Sequence, residues 1–145
     1  MRVDRFQNHA VLGFVDWTLR GVGQVVFQNN PLAGLVILAG LLVNSWIYAA
    51  ICVVGVVAST LTAIVLKADK ALIRDGLFGF NGALVALALV AFTSEDFRAG
   101  AIPSVAMLAY LICAAALTTM AFASIAALLG DRKSTRLNSS HGYIS

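Results

Sequence analysis

The chain has 145 residues, of which 60% are hydrophobic and only 12% charged, and its mean hydropathy is +0.89. Soluble domains carry about 25% charged residues, so an ordinary water-soluble fold is excluded and an integral membrane protein is indicated. Much of the net charge of +3 sits in the last fifteen residues, where Arg132, Lys133 and Arg136 outweigh Asp131; the remainder is nearly neutral and lacks the basic surface that nucleic-acid binding needs.

The opening residues, Met1 to His9, hold no apolar run and no small-residue cleavage site, so no secretory signal peptide is expected. From Asp4 to Arg20, Phe6, Val11, Phe14, Trp17 and Leu19 are interleaved with Asp4, Arg5, Gln7, Asn8 and Asp16. That pattern predicts a short amphipathic helix at the membrane surface with Trp17 at headgroup depth, and residues 1–20 are read as an interfacial segment. His9 has no neighbour at ligand spacing and is expected to be solvated.

Gly21 to Asn30 mixes glycines, Gln24, Gln28 and two asparagines with Val25, Val26 and Phe27, and then meets Pro31. A residue before proline is pushed out of helical geometry, so any helix here stops near Asn29. Two readings stay open on pattern alone: a half-helix of about two turns ending in amides, or a polar connector before a span.

Residues 21–130 are read as the membrane domain. Pro31 to Leu66 is too long for one crossing and breaks at Asn44-Ser45-Trp46, which predicts helices over Pro31 to Val43 and Trp46 to Leu66. The first is about 20 Å long against a hydrocarbon core of about 30 Å and needs the preceding half-helix or a neighbour to complete a crossing. Lys67 to Asp75 is the most basic internal loop, and the positive-inside rule puts it and the N-terminus in the cytoplasm. A third helix is expected from about Gly76 to Thr93, an outer loop over Ser94 to Gly100, and a returning helix over Ile102 to Leu129. The last is rich in alanine and expects helical neighbours; its Tyr110, Thr118, Thr119 and Ser124 are expected to bond to their own helix rather than line a polar path. After Gly130 the sequence turns polar, and residues 131–145 are read as translated adapter or vector sequence, the alternative being a disordered cytoplasmic tail. The predicted fold class is an all-α membrane protein with about four transmembrane helices and a short pore half-helix.

Asp16, Asp69, Asp75, Glu95 and Asp96 all fall at interfaces or in loops, so no ionisable group is expected at depth. Nothing suggests acid–base or covalent catalysis, and no enzyme activity, cofactor or metal is expected; Cys52 and Cys113 lie in apolar runs as packing residues. What remains at depth is amide, glycine backbone and ring: Gln24, Phe27, Gln28, Asn29, Asn30, Phe78, Phe80 and Asn81. Carbonyl oxygens can accept the N–H bonds of a small, flat, uncharged solute while ring faces exclude hydrated ions. These residues do not choose among urea, glycerol, ammonia and short amides.

The stretch Gly76 to Val90, Gly-Leu-Phe-Gly-Phe-Asn-Gly-Ala-Leu-Val-Ala-Leu-Ala-Leu-Val, has three glycines and one asparagine in its first seven positions, as expected of backbone facing a cavity or a second helix. Together with Gly21 to Gly34 it resembles the urea transporter family, over roughly Asp16 to Gly130. The resemblance implies passive, channel-like passage of urea or small amides through a multi-pass protein of the inner (plasma) membrane. Its protomer has two similar halves in inverted orientation, each with a pore half-helix and five spans, and assembles as a homotrimer in the lipid bilayer.

Carried onto this chain, the resemblance puts Gln24 and Val25 at the end of the pore half-helix and makes Phe27 and Phe80 one wall of the aromatic slots. Leu84 becomes an apolar pore contact, while Asn29, Asn30, Gly79, Asn81 and Gly82 hold the half-helix and an opened backbone in place. By pattern alone the aromatic residues equally suit lipid or core packing. The chain reaches only the fourth span of the first half, so a truncated transporter, inactive alone, is expected. The alternative is a small multi-span scaffold that binds partners through its alanine-rich helix.

Overall fold

A computed structural model describes residues 10–93 and 102–141, with side chains described as far as Gly130. Its elements are all helical: α1 (Ala10–Gly23) followed by a 3-10 turn (Gln24–Val26), α2 (Pro31–Asn44), α3 (Trp46–Val65), α4 (Lys70–Arg74), α5 (Leu77–Phe92) and α6 (Val105–His141). The expectations for residues before Ala10 and for the loop over 94–101 lie outside the described residues.

Local chemistry sets most boundaries. Phe27 takes the left-handed conformation at φ 59° and closes the 3-10 turn by donating its N–H to the Gln24 carbonyl. Asn30 is extended, its Oδ1 accepts from the Leu32 N–H at 2.9 Å, and Pro31 fills the first helical position, where a missing N–H costs nothing. Replacing Asn30 by alanine is therefore expected to cost about 1 kcal/mol, read as a lowered thermal transition in detergent. Ser45 is the single extended residue between α2 and α3; its N–H bonds back to Leu41 and its Oγ caps the Ile47 N–H. The break predicted at Asn44-Ser45-Trp46 falls there.

Three boundaries differ from the sequence expectation. The helix of α1 runs without interruption through Gly21 to Gly23, so the half-helix before Pro31 takes the form of the last turns of α1 and the 3-10 turn that continues them. Close packing of Gly21, Val22 and Gly23 supports the helix where propensity is poor. The basic loop folds a turn of its own, α4, capped by Asp69 Oδ1 on the Ala71 N–H at 2.8 Å. At the other end α6 continues past Gly130 to His141. A change from apolar to polar composition marks a change of surroundings, and a charged segment can hold helical backbone as well as an apolar one.

Trp46–Val65 and Val105–Gly130 are each long and apolar enough to cross a membrane. Ala10–Val26 and Pro31–Asn44 form a bent pair at 74°, a broken span or a re-entrant loop, and Leu77–Phe92 is a shorter apolar helix. Length and composition thus give two to three crossings among the described residues, fewer than the four apolar segments, because α2 and α5 are short. The chain is a multi-pass membrane protein.

The core is built around α3, which packs on α5, α6, α2 and α1. Ile47, Tyr48, Ile51, Ala86, Val90 and Leu111 fill one end, Val22, Cys52, Val56 and Ala83 the middle, and Ala63, Ile73 and Phe78 the other end. Gly55 and Gly82 bring α3 and α5 into backbone contact: a Cβ on Gly82 would strike the Gly55 carbonyl oxygen and lie 2.6 Å from Ser59 Oγ. Ser59 Oγ donates to the Ala115 carbonyl at 3.2 Å and ties α3 to α6. On α6, Thr118, Thr119 and Ser124 bond to carbonyls of their own helix.

Candidate functional site

Of the residues singled out by sequence, Gln24, Asn29 and Gly79 meet where the end of α1 and the loop after it face the start of α5. Glycine makes that meeting possible. A Cβ on Gly21 would stand 2.9 Å from Gly79 Cα and 3.2 Å from the Gly76 carbonyl, so the two backbones touch with no side chain between them. Gly76 is left-handed at φ 75° and turns the chain from α4 into α5. Of the two roles open to these glycines, facing a cavity or facing a helix, Gly79 and Gly82 take the second: Gly79 faces α1 and α3, and Gly82 faces α3. The opened backbone that the resemblance implied here is not found, because α5 is continuous from Leu77 to Phe92. Packing by α1 and α3 on its bare faces compensates for three weak helix formers in seven positions.

A chain of polar contacts fixes the junction. Arg20 Nε donates to Asp16 Oδ2 at 2.8 Å, and its Nη1 reaches the Asn29 Oδ1 at 2.8 Å and the Asn29 carbonyl at 3.1 Å. Asn29 Nδ2 donates in turn to Asp75 Oδ1 at 3.1 Å, and Gln24 Nε2 donates to the Asp75 carbonyl at 3.0 Å. Residues 24–30 are thereby held against the turn before α5. Sequence reasoning missed Arg20 and Asp75 as members of this site. The four-residue spacing of Asp16 and Arg20 on one helix was the available signal for the first; nothing local pointed to Asp75, whose partners lie 46 and 51 positions away.

The residues expected to form the wall divide. Val25 packs on the cluster of Val22, Cys52, Val56 and Ala83, and so abuts α5. Phe80 is half-buried and Leu84, one turn on, is 44% exposed. Phe27 stands out at 86% exposed, and among the described residues no ring contact joins it to Phe80. Phe78 is a core residue, edge-to-face with Phe122 at 5.3 Å. Asn81 Nδ2 is buried without a hydrogen-bond partner among the described residues, an uncommon condition for a buried donor. The carbonyls of Val25 and Val26, past the last bond of the 3-10 turn, accept no hydrogen bond among the described residues, as expected where a helix ends. The junction thus combines the free carbonyls of Val25 and Val26 with a charged network of Asp16, Arg20 and Asp75 whose members are bonded to one another and to Gln24 and Asn29.

Comparison with known proteins gives the chain a family. A family model described as urea transporter matches residues 15–138. The chain is 48% identical over 86 residues to urea transporter 1 of Rattus norvegicus, covering 59% of this chain and 22% of that protein. It is 47% identical over 86 residues to urea transporter 1 of Mus musculus, with the same coverage. To urea transporter 1 of Ovis aries it is 48% identical over 85 residues, covering 58% of the chain and 22% of the relative. The chain spans about a fifth of the length of the curated relatives it matches, and the family match, like α6, runs beyond Gly130. The glycine-packed junction of α1 and α5 lies wholly inside the matched residues, and the chain belongs to the urea transporter family.

Proposed function

We propose that this chain supplies one wall of a passage through which urea, or a small amide of the same shape, crosses the membrane down its gradient. The observation that carries the reading is the pair of unbonded carbonyls at Val25 and Val26, next to Phe27 at the end of α1 where the 3-10 turn packs on α5. Urea brings four N–H donors, and taking them out of water without new acceptors costs several kcal/mol, roughly 2–7 per group. Carbonyls fixed at the end of α1 accept those bonds without rearrangement, while the ring faces pass a planar molecule and leave a hydrated ion without replacement ligands. Gln24 and Val25 set the end of the helix, and Leu84 extends the apolar wall. Asn29, through Arg20 and Asp75, and Asn30, through its cap on α2, hold the wall in register; Asn81, with Gly79 and Gly82, supports the packing that keeps α5 close to α1 and α3.

The reading extends to the whole transporter as a passive carrier rather than an enzyme, a homotrimer in the inner (plasma) membrane with its N-terminus in the cytoplasm. The basic run from Lys67 to Arg74 supports that orientation. Stopped-flow urea flux into liposomes containing a full-length relative with this segment tests the wall. Phe80→Ala is expected to lower the preference for urea over larger or rounder solutes about tenfold, whereas Phe92→Ala, at a residue 90% exposed at the far end of α5, leaves it unchanged. Equal effects at the two positions would remove the case for a ring-lined slot.

A further inference from the structure

A cavity of about 540 Å³ opens at the corner of α1, α3 and α4 and is lined by Trp17, Ile64, Lys67, Ala68, Lys70, Ile73 and Arg74, none of which belongs to the polar network at the α1–α5 junction. Its size is ordinary for a small-molecule site, about 300–1,000 Å³. Its lining is two-sided: Trp17, Ile64 and Ile73 are apolar, and Lys67, Lys70 and Arg74 bring three cations together. None of the three has a carboxylate partner among the described residues, where the ion pair formed is Arg20 with Asp16. The nearby acids are engaged elsewhere, Asp69 Oδ1 on the Ala71 N–H and Asp75 Oδ1 on Asn29. Lys67 adopts φ 53°, a conformation few non-glycine residues take, at the turn that leaves α3. Trp17 Nε1 is buried and has no hydrogen-bond partner among the described residues. Three cations against one neighbouring carboxylate, Asp69, none of them ion-paired among the described residues, leave a net positive rim around the cavity that suits an anion.

We propose that this cavity binds a phosphate group, presented by an anionic lipid at the membrane edge. Arg74 can bridge two phosphate oxygens and the lysines act as point charges. The apolar side of the cavity continues onto Leu61, Ile64 and Val65, all exposed on α3, where an acyl chain has a surface to follow. The site lies at the end of a helix long enough to cross the membrane, the level at which tryptophan and basic clusters meet headgroups. Free phosphate offers the same oxygens without the chain, and the experiment separates the two sources.

The chain is reconstituted in phosphatidylcholine vesicles, and the motionally restricted fraction of spin-labelled phosphatidylglycerol is compared with that of spin-labelled phosphatidylcholine. A clear preference for the anionic lipid is expected, falling about fivefold for each cation removed in the series Lys67→Gln, Lys70→Gln and Arg74→Gln. Removing the same number of charges from the tail (Arg132→Gln, Lys133→Gln and Arg136→Gln) leaves it within twofold. Trp17→Phe weakens it with every charge in place. Circular dichroism in the same vesicles confirms folding, and if the triple variant loses helix the single lysine variants, at exposed positions, carry the test. In a second arm, inorganic phosphate is added to pure phosphatidylcholine vesicles and the fluorescence of Trp17 is followed in a Trp46→Phe background. A response there without lipid preference supports the phosphate site with a soluble source. Equal loss in the pocket and tail variants, or no preference and no response, overturns the proposal.

Discussion

Gly82→Ala is expected to abolish cooperative unfolding of the chain. The added methyl would strike the carbonyl oxygen of Gly55 and lie 2.6 Å from Ser59 Oγ, and the first of these is backbone in the centre of a 20-residue helix. A flexible side chain could swing aside; a helical carbonyl moves only with its helix. Overpacking in a core costs about 1–3 kcal/mol where neighbours can yield, and here the relief is to part α3 from α5, which strips contact from Cys52, Val56, Ala83 and Ala86 together. Gly40→Ala is the matched control: nothing lies within 4 Å of a Cβ there, and exchanging glycine for alanine inside a helix gains about 1 kcal/mol. Thermal melts of both variants in one detergent check the contrast, and comparable melting of the two would mean that the α3–α5 contact does not hold the bundle together.

Arg20→Ala carries the second large effect. The guanidinium and the Asp16 carboxylate are 16% and 13% exposed, and the same guanidinium holds the Asn29 side chain and carbonyl. Its loss leaves a mostly buried carboxylate unpaired and frees the loop over 27–30, a cost of about 3 kcal/mol. Asp16→Asn combined with Arg20→Ala should recover part of that loss, since the uncompensated charge goes with its partner. Hydrogen exchange at residues 27–30 should rise in the single variant; unchanged protection there would show that Asn29 is held by Asp75 alone.

How much of this could be read in advance depends on whether the cause was local. The helices of α2, α3 and α5 follow from apolar runs punctuated by Pro31, Ser45 and Gly76, and their ends fall within a residue or two of expectation. The side-chain caps at Asn30 and Ser45 act on the next residue but one, and such effects are written in the sequence. The role of the glycines was harder, because the same three residues that let α5 approach α1 and α3 also fit a backbone opened to a cavity; only the position of the neighbouring helices separates the two. Asp75 and the cavity around Lys67 depend on segments far apart in sequence meeting in space. Phe78 and Phe80 differ by two positions, yet one lies in the core and the other is only half-buried, a distinction set by which side of α5 faces Phe122.

The 74° bend between α1 and α2 bears on how the chain enters a bilayer. The first arm, with its 3-10 turn, has 17 residues and the second 14, roughly 26 and 21 Å against a hydrocarbon layer of about 30 Å. Neither arm is a self-sufficient insertion signal, and its exposed amides would meet lipid if it were delivered alone. The arms have to be admitted as a pair, and the pair gains its protein neighbours only after α3 and α5 have been synthesised. Biogenesis of this segment is therefore retroactive: the later helices determine where the first ones settle.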